Sequence, residues 1–594
     1  TGTQNTAVGS QALDANTTAN SNVAIGYACL GANTTGADNT AVGTAALDAN
    51  TTANNNTAVG RSALGANTTG TAGVAVGAFA LDANTTANNN TAIGYAALSA
   101  NTTGGSNTAV GKDALLVSTT GMENCGFGVN ALEANTTGNH NTALGKQSLA
   151  LNTTAHNNSA VGCNALGSNT TGTNNTGIGC SALQNNTTGG YNTAVGYYAM
   201  LANSTGDDNT ALGANALDAN TTGDNNTALG VNALGAADAS YNTGVGFAAL
   251  GANTTGQKNV SVGAYALDAN TTGNHNTAVG HFSLSAATTA HDNTAVGKNA
   301  LSATTTGTYN VGVGASALNS NTTADANTAV GFKAMADNTT GSTNTCAGYL
   351  SLASNTTGSR NTSFGSSSLA NCTTGNYNVA VGNHALNALT DAEVNVAVGD
   401  YAMANTTTGG NNTAVGQNAL YANTGGTNNV AIGYAALDAS TTASNNTAVG
   451  YQALTANSTG EYNTALGRSA ASANTTGSRN VAMGYAALGA NTTGERNVAI
   501  GAYTLDANTT ASYNTAVGDG CLSANTTGAN NTAVGRNALD ANTTANDNTA
   551  MGYGCLGTNT TGANNTAVGS NALHNLATSS SNTAFGYAAL EDCT

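Results

Sequence analysis

The stretch Asn22-Val23-Ala24-Ile25-Gly26-Tyr27-Ala28-Cys29-Leu30-Gly31-Ala32-Asn33-Thr34-Thr35-Gly36 decides the fold, because it returns with small changes every 17 residues. Its anchor glycine falls at Gly9, Gly26, Gly43, Gly60 and Gly77 and onward to Gly569 and Gly586. About 35 anchors follow this rule, with one 16-residue step between Gly230 and Gly246. A fixed short period is the signature of stacked units that contact only their neighbours. A chain of 594 residues would otherwise suggest three or four globular domains. Without a composition shift, charge run or linker, residues 1–594 read as one continuous repeat domain.

Within the unit, Val23-Ala24-Ile25 alternates as a strand requires, and the expectation is that Val23 and Ile25 point inward and Ala24 and Gly26 outward. The first inward place is usually Thr (Thr6, Thr40, Thr57), and the second is aliphatic (Val8, Val42, Ile93, Leu144), with Phe585 larger. A second short strand is expected around Leu13, Leu30, Leu47 or Met200. Ala-Asn-Thr-Thr-Gly then forms a turn, its Gly or Asn supplying positive φ. Helix is a poor alternative, given the recurring glycine, the weak helix formers Asn and Thr, and the lack of a 3.6-residue stripe. The chain therefore reads as an all-β parallel β-solenoid or β-roll, two short strands and two turns per coil. At ~4.8 Å per coil it would form a rod of roughly 170 Å. Two sizeable apolar side chains per coil make a thin core, which favours association of several chains.

The Asn-Val-Ala-Ile-Gly pentads at 22–26, 429–433 and 497–501, with their Asn-Thr-Ala-Val-Gly variants, resemble the head repeats of trimeric autotransporter adhesins. The longer unit is similar to the repeat arrays of bacterial and phage tail-fibre-domain proteins. The resemblance implies a left-handed β-roll, three chains to a head, and carries no catalytic positions. The period here is longer than the adhesin head's usual one, and the stalk, anchor and self-cleaving chaperone domain of such families do not occur in this sequence.

Composition narrows the partners. Proline and tryptophan are absent, 7% of residues are charged and the net charge is −17. A pI near 4.4 argues against nucleic acid. No apolar run reaches the ~20 residues of a membrane span, and no signal peptide opens the sequence. Lys112, Lys146, Lys298, Arg61, Arg468 and Arg536 directly follow an anchor glycine. Lys258, Arg360, Arg479 and Arg496 precede the Asn that opens a strand. Both positions are expected to face solvent.

The columns that could carry chemistry follow from the same register. Asn16, Asn33, Asn50, Asn67, Asn84, Asn101, Asn135, Asn220, Asn270, Asn508 and Asn542 each begin Asn-x-Thr, the acceptor pattern for N-glycosylation, or else stack as a hydrogen-bonded ladder. A second set, Asn55-Asn56-Thr57, Asn89-Asn90-Thr91 and Asn174-Asn175-Thr176, offers the same pattern one turn later. Tyr27, Tyr95, Tyr197, Tyr434, Tyr451, Tyr485, Tyr553 and Tyr587 share the position after the anchor, exposed or at a chain–chain seam. Cys163 and Cys180 occupy one phase in successive coils, within disulfide range. Cys372 and Cys593 fall in the Asn column and are expected at the surface, where they could link chains. Asp14, Asp48, Asp82, Asp218, Asp268, Asp506 and Asp540 read as solvated turn residues. No metal-ligand spacing, nucleophile elbow or phosphate loop occurs, so no catalytic, cofactor or metal site is expected.

Thr594 and Thr1 continue one register, so neither end reads as capped, as in subunits stacked end to end or a window of a longer array. The expected function is a structural segment of an extracellular filament or fibre, at a cell surface or on a virion, with itself as partner. The alternative is an adhesin head or tail fibre that binds surface glycans or a receptor. A third reading, ice binding by Thr rows, is weakened because adjacent Thr17 and Thr18 should point opposite ways.

Overall fold

The computed structural model describes residues 1–592 and contains strands and turns but no helix. It divides into two compact units, Thr1–Asn293 and Thr294–Thr594. The first carries β1 (Thr6–Val8), β2 (Val23–Ile25) and so on to β17 (Thr277–Val279). The second runs from β18 (Thr294–Val296) to β35 (Thr583–Phe585). Inside each unit, every strand pairs in parallel with the strand of the next coil, in a constant register such as Val23↔Thr40 and Ile25↔Val42. Both units are parallel β-solenoids with coils of about 17 residues. No helix among the described residues is long and apolar enough to cross a membrane.

Each coil holds one three-residue strand, not two. The Leu-bearing segment is still tied to the next coil, through Leu30 N–H to Ala46 O at 3.1 Å and Ala32 N–H to Asp48 O at 2.9 Å. However, Ala28 and Leu30 take φ values of 55° and 49°, and these left-handed residues break the extended run. Positive φ also falls on the residue before the strand-opening Asn, as in Ser21 and Asn55, and on the anchor glycines. Neither Asn33 nor Gly36 supplies it, contrary to expectation.

The anchor is glycine for two reasons. Gly26 sits at φ 138°, where L side chains rarely go, and a Cβ there would lie 2.5 Å from the carbonyl oxygen of Gly43 in the next coil.

The strand faces are reversed relative to the sequence expectation. Ala24, at the strand centre, is fully buried, whereas Ile25 is 40% exposed and Val23 half-buried. Gly177, a glycine in the central column, shows why. A Cβ added there would lie 3.2 Å from Ala182 O and 3.3 Å from Leu166 Cγ. The space between strand and Leu segment admits only small side chains, Ala in most coils and Ser261, Cys346 and Ser363 in three, so the β-branched residues face out. The core of a coil is Ala24, Cys29 (usually Ala, as Ala46) and Leu30, flanked by Asn22 and Asn33, all fully buried.

The short step after Gly230 is repaired by a side chain. In a regular coil Thr34 and Thr35 donate their N–H groups to the carbonyl of Thr51. At the short coil, Thr221 and Thr222 of the coil before it donate instead to Asp238 Oδ1, at 3.0 and 2.8 Å. A carboxylate oxygen replaces the missing carbonyl, and pairing resumes at Thr227↔Thr243.

Candidate functional site: the columns of the coil surface

The Asn column that carries most Asn-x-Thr patterns lies inside the coil. Asn33, Asn50, Asn67, Asn84, Asn101, Asn135, Asn220, Asn270, Asn508 and Asn542 are buried, and Asn16 is half-buried. Asn50 Nδ2 donates to Asn33 Oδ1 at 2.9 Å and to Ala53 O at 3.2 Å. A side-chain amide spent in this way presents no nitrogen for a sugar, so the surface expectation for this column is corrected to an internal ladder. Serine at Ser118 and Ser440, threonine at Thr304 and Thr406, and leucine at Leu389 and Leu576 interrupt it.

The strand-opening Asn forms a second ladder. Asn39 N–H donates to Asn22 Oδ1 at 3.0 Å, and Asn39 Nδ2 to Ala53 O at 2.9 Å. One residue earlier the side chains turn outward. Asn55, Asn89, Asn157, Asn225, Asn411, Asn445, Asn530 and Asn564 are exposed, each with Thr or Ser two residues on. Asn174 is half-buried. The exposed acceptor patterns are therefore the second set and not the first. The signal for this is the doubled Asn-Asn, in which the first residue takes the left-handed conformation that Asn tolerates, as at Asn55 with φ 60°.

Arg61, Lys112, Lys146, Lys298, Arg468 and Arg536 are exposed after their anchors, as are Lys258, Arg360, Arg479 and Arg496 before theirs. Tyr27, Tyr95, Tyr197, Tyr434, Tyr451, Tyr485, Tyr553 and Tyr587 are exposed too. Where aromatics occupy successive coils, their rings stack or meet edge-on. Tyr434 and Tyr451 lie 5.3 Å apart, and the Arg468 guanidinium sits 5.6 Å from Tyr451 and 5.7 Å from Tyr485. Tyr503 continues the row at 5.1 Å from Tyr485. In the first unit Tyr265 stacks on Phe282 at 5.1 Å and meets Phe247 edge-on at 5.3 Å.

Cys163 and Cys180 are exposed free thiols in successive coils. Cys372 is corrected from surface to core: it is fully buried, and burial pushes its thiol up to about 11. Burial pushes Cys346 and Cys521 up to about 12. Cys593 lies outside the described residues. Asp14 is exposed as expected, but Asp48, Asp82, Asp218, Asp268, Asp506 and Asp540 are half-buried, and burial pushes the carboxyls of the last five above the ordinary range.

The outward face of the strands is a uniform surface. The third strand residue is Val, Ile, Leu, Met or Phe in every strand but one, Ala347 being the exception. The first is Thr or Val, with Cys125 and Ser159 as variants. Neither column contains a charged residue. Sequence periodicity located both columns and assigned them to the wrong side. No protein-family model matches the chain, and no curated protein matches it.

Proposed function

We propose that this chain is a structural segment of an extracellular filament or fibre, in which left-handed coils from several chains, three in the simplest case, lie side by side. The supporting observation is the double Asn ladder. In each unit one set of side-chain and backbone hydrogen bonds recurs coil after coil, so the interior is devoted to holding a constant stacking distance. Solenoids built this way gain extent by repetition, and each added coil repeats the same neighbour interactions. The resemblance to adhesin-head and tail-fibre repeats supports the same reading. Electron microscopy of the purified protein tests it. Filaments or bundled rods are expected, whereas isolated particles of 57.5 kDa at all concentrations would overturn it.

One observation favours a second reading, a fibre that also binds a surface glycan or receptor. The exposed row Tyr434, Tyr451, Arg468, Tyr485 and Tyr503 offers aromatic faces and a cation at regular spacing. Such faces stack on sugar rings. Glycan-array binding that is lost in Tyr451→Ala with Tyr485→Ala would support it.

A further inference from the structure

We infer that the outward strand face is a seam covered by a second copy of this chain; the inference rests on the multi-chain reading above and specifies the surface that carries it.

The internal repeats act as their own comparison. The position after the anchor accepts Tyr27, Arg61, Lys112, Cys163, His281 and Asp400, as a solvated site does. One residue before the anchor, where the side chain is exposed or half-buried, the chain keeps a large apolar side chain in every coil except that of Ala347. Val76 is 36% exposed and Phe127 39%. A continuous apolar row beside an uncharged Thr and Val row marks an interaction surface. Three strand residues at ~3.3 Å and the first unit's strands at ~4.8 Å give a strip of roughly 10 by 80 Å, about the 800 Å² per partner of a standard interface.

Two features identify the occupant. Side chains recur along the strip at the coil spacing, and another copy supplies the same spacing over the same length. Charge points the same way. Two copies that each carry −17 repel each other, but the strip contains none of that charge, so this face lets like-charged chains approach closely.

A native thiol reports on the seam. Cys125 opens β8 (Cys125–Phe127), and it is half-buried in the single chain, whereas Cys163 is exposed. Maleimide labelling of the assembled protein should leave Cys125 protected. In Val59→Glu with Val76→Glu and Ile93→Glu, mass by analytical ultracentrifugation should fall to that of one chain, and Cys125 labelling should rise at least ten-fold. Unchanged mass with native circular dichroism, or unchanged Cys125 labelling, would overturn the seam.

If the triple variant does not fold, two single variants decide. Val76→Cys should react at least ten-fold more slowly than Tyr95→Cys, and equal rates would overturn the proposal. The two readings fail separately. Absence of filaments while Cys125 stays protected removes the filament and keeps the seam. Intact filaments with a freely reacting Val76→Cys do the reverse.

Discussion

Asn22 and Asn33, from opposite ends of one turn, donate their side-chain amides to the same acceptor, the carbonyl oxygen of Gly36, at 2.9 and 3.0 Å. The pair closes the turn within a coil. Each amide oxygen then accepts from the coil above: Asn22 Oδ1 from the Asn39 N–H, and Asn33 Oδ1 from Asn50 Nδ2. An amide is the group that can both donate and accept in these two directions without charge, so the interior is tied by neutral side chains where a larger protein would use hydrocarbon.

Replacing one of these amides by a carboxylate tests this directly. Asn259 donates through Nδ2 to Gly273 O at 2.8 Å and accepts from the Asn276 N–H at 2.9 Å. Asn259→Asp keeps the shape, loses the donor and places a buried charge against a carbonyl. The expected cost is about 3–5 kcal/mol, read as lost hydrogen-exchange protection in the coils around residue 259. Asn253→Ser, which imitates the native Ser118 and Ser440, should cost only about 1 kcal/mol.

Two glycines near one coil should behave oppositely. Gly263 has φ 134°, and a Cβ would lie 2.6 Å from Gly280 O, so Gly263→Ala should cost several kcal/mol and open the ladder locally. Gly251 has no left-handed backbone, its nearest clash is 3.2 Å, and neighbouring coils carry Asp268 and Ser285 at its phase. Gly251→Ala should change stability by less than about 0.5 kcal/mol. Thermal melting of both variants distinguishes them, and equal losses would contradict the crowding at the anchor.

Acid should strengthen the fold. The folded carboxyls of Asp82, Asp218, Asp268, Asp506 and Asp540 sit above their unfolded value of 3.8 because burial disfavours their charge. Stability from such groups is fully present below the unfolded value and is lost as pH rises through the raised folded values. Asp238 opposes this. Burial raises its carboxyl, but hydrogen bonds from Thr221 and Thr222 outweigh burial and hold it low, so its contribution is lost as pH falls. With Asp438, which burial raises in the same way, six groups against one predict a higher melting temperature near pH 4 than at pH 7 in low salt. Asp238→Asn, which keeps an acceptor oxygen, should enlarge the difference. A melting temperature that falls steadily with acidification would contradict the assignment.

How far the sequence could be read depends on what each column's chemistry discloses. Gly26, Leu30 and Val23-Ala24-Ile25 announce their period and their strand, because glycine, leucine and β-branched residues recur at fixed phase. The sidedness of Ile25 was not legible: hydrophobicity argues that it faces inward, and only the clearance at Gly177 shows that the interior takes small side chains alone. Asn33 misled for the converse reason. Polar composition suggests solvent, while an amide is stable in a core when it is hydrogen-bonded, as Asn33 is through Nδ2 to Gly36 O and through Oδ1 to Asn50 Nδ2. The left-handed Leu30 left no mark in the sequence, since leucine ordinarily avoids that conformation.

The same sidedness fixes where any sugar is to be found. Asn33 Nδ2 is occupied by Gly36 O and has no exposed surface, whereas Asn55 and Asn89 stand outward with Thr57 and Thr91 two residues on. If the chain is produced where N-glycosylation operates, peptide mapping should place glycans on the column of Asn55, Asn89, Asn225 and Asn530. The more numerous column of Asn33, Asn50 and Asn67 should remain unmodified. Asn55→Gln with Asn89→Gln should then remove the sugar from those two coils without loss of stability, because neither side chain belongs to the buried ladders. Glycans mapped to Asn33 or Asn50 in folded protein would require those coils to open, and would contradict the ladder as the native arrangement.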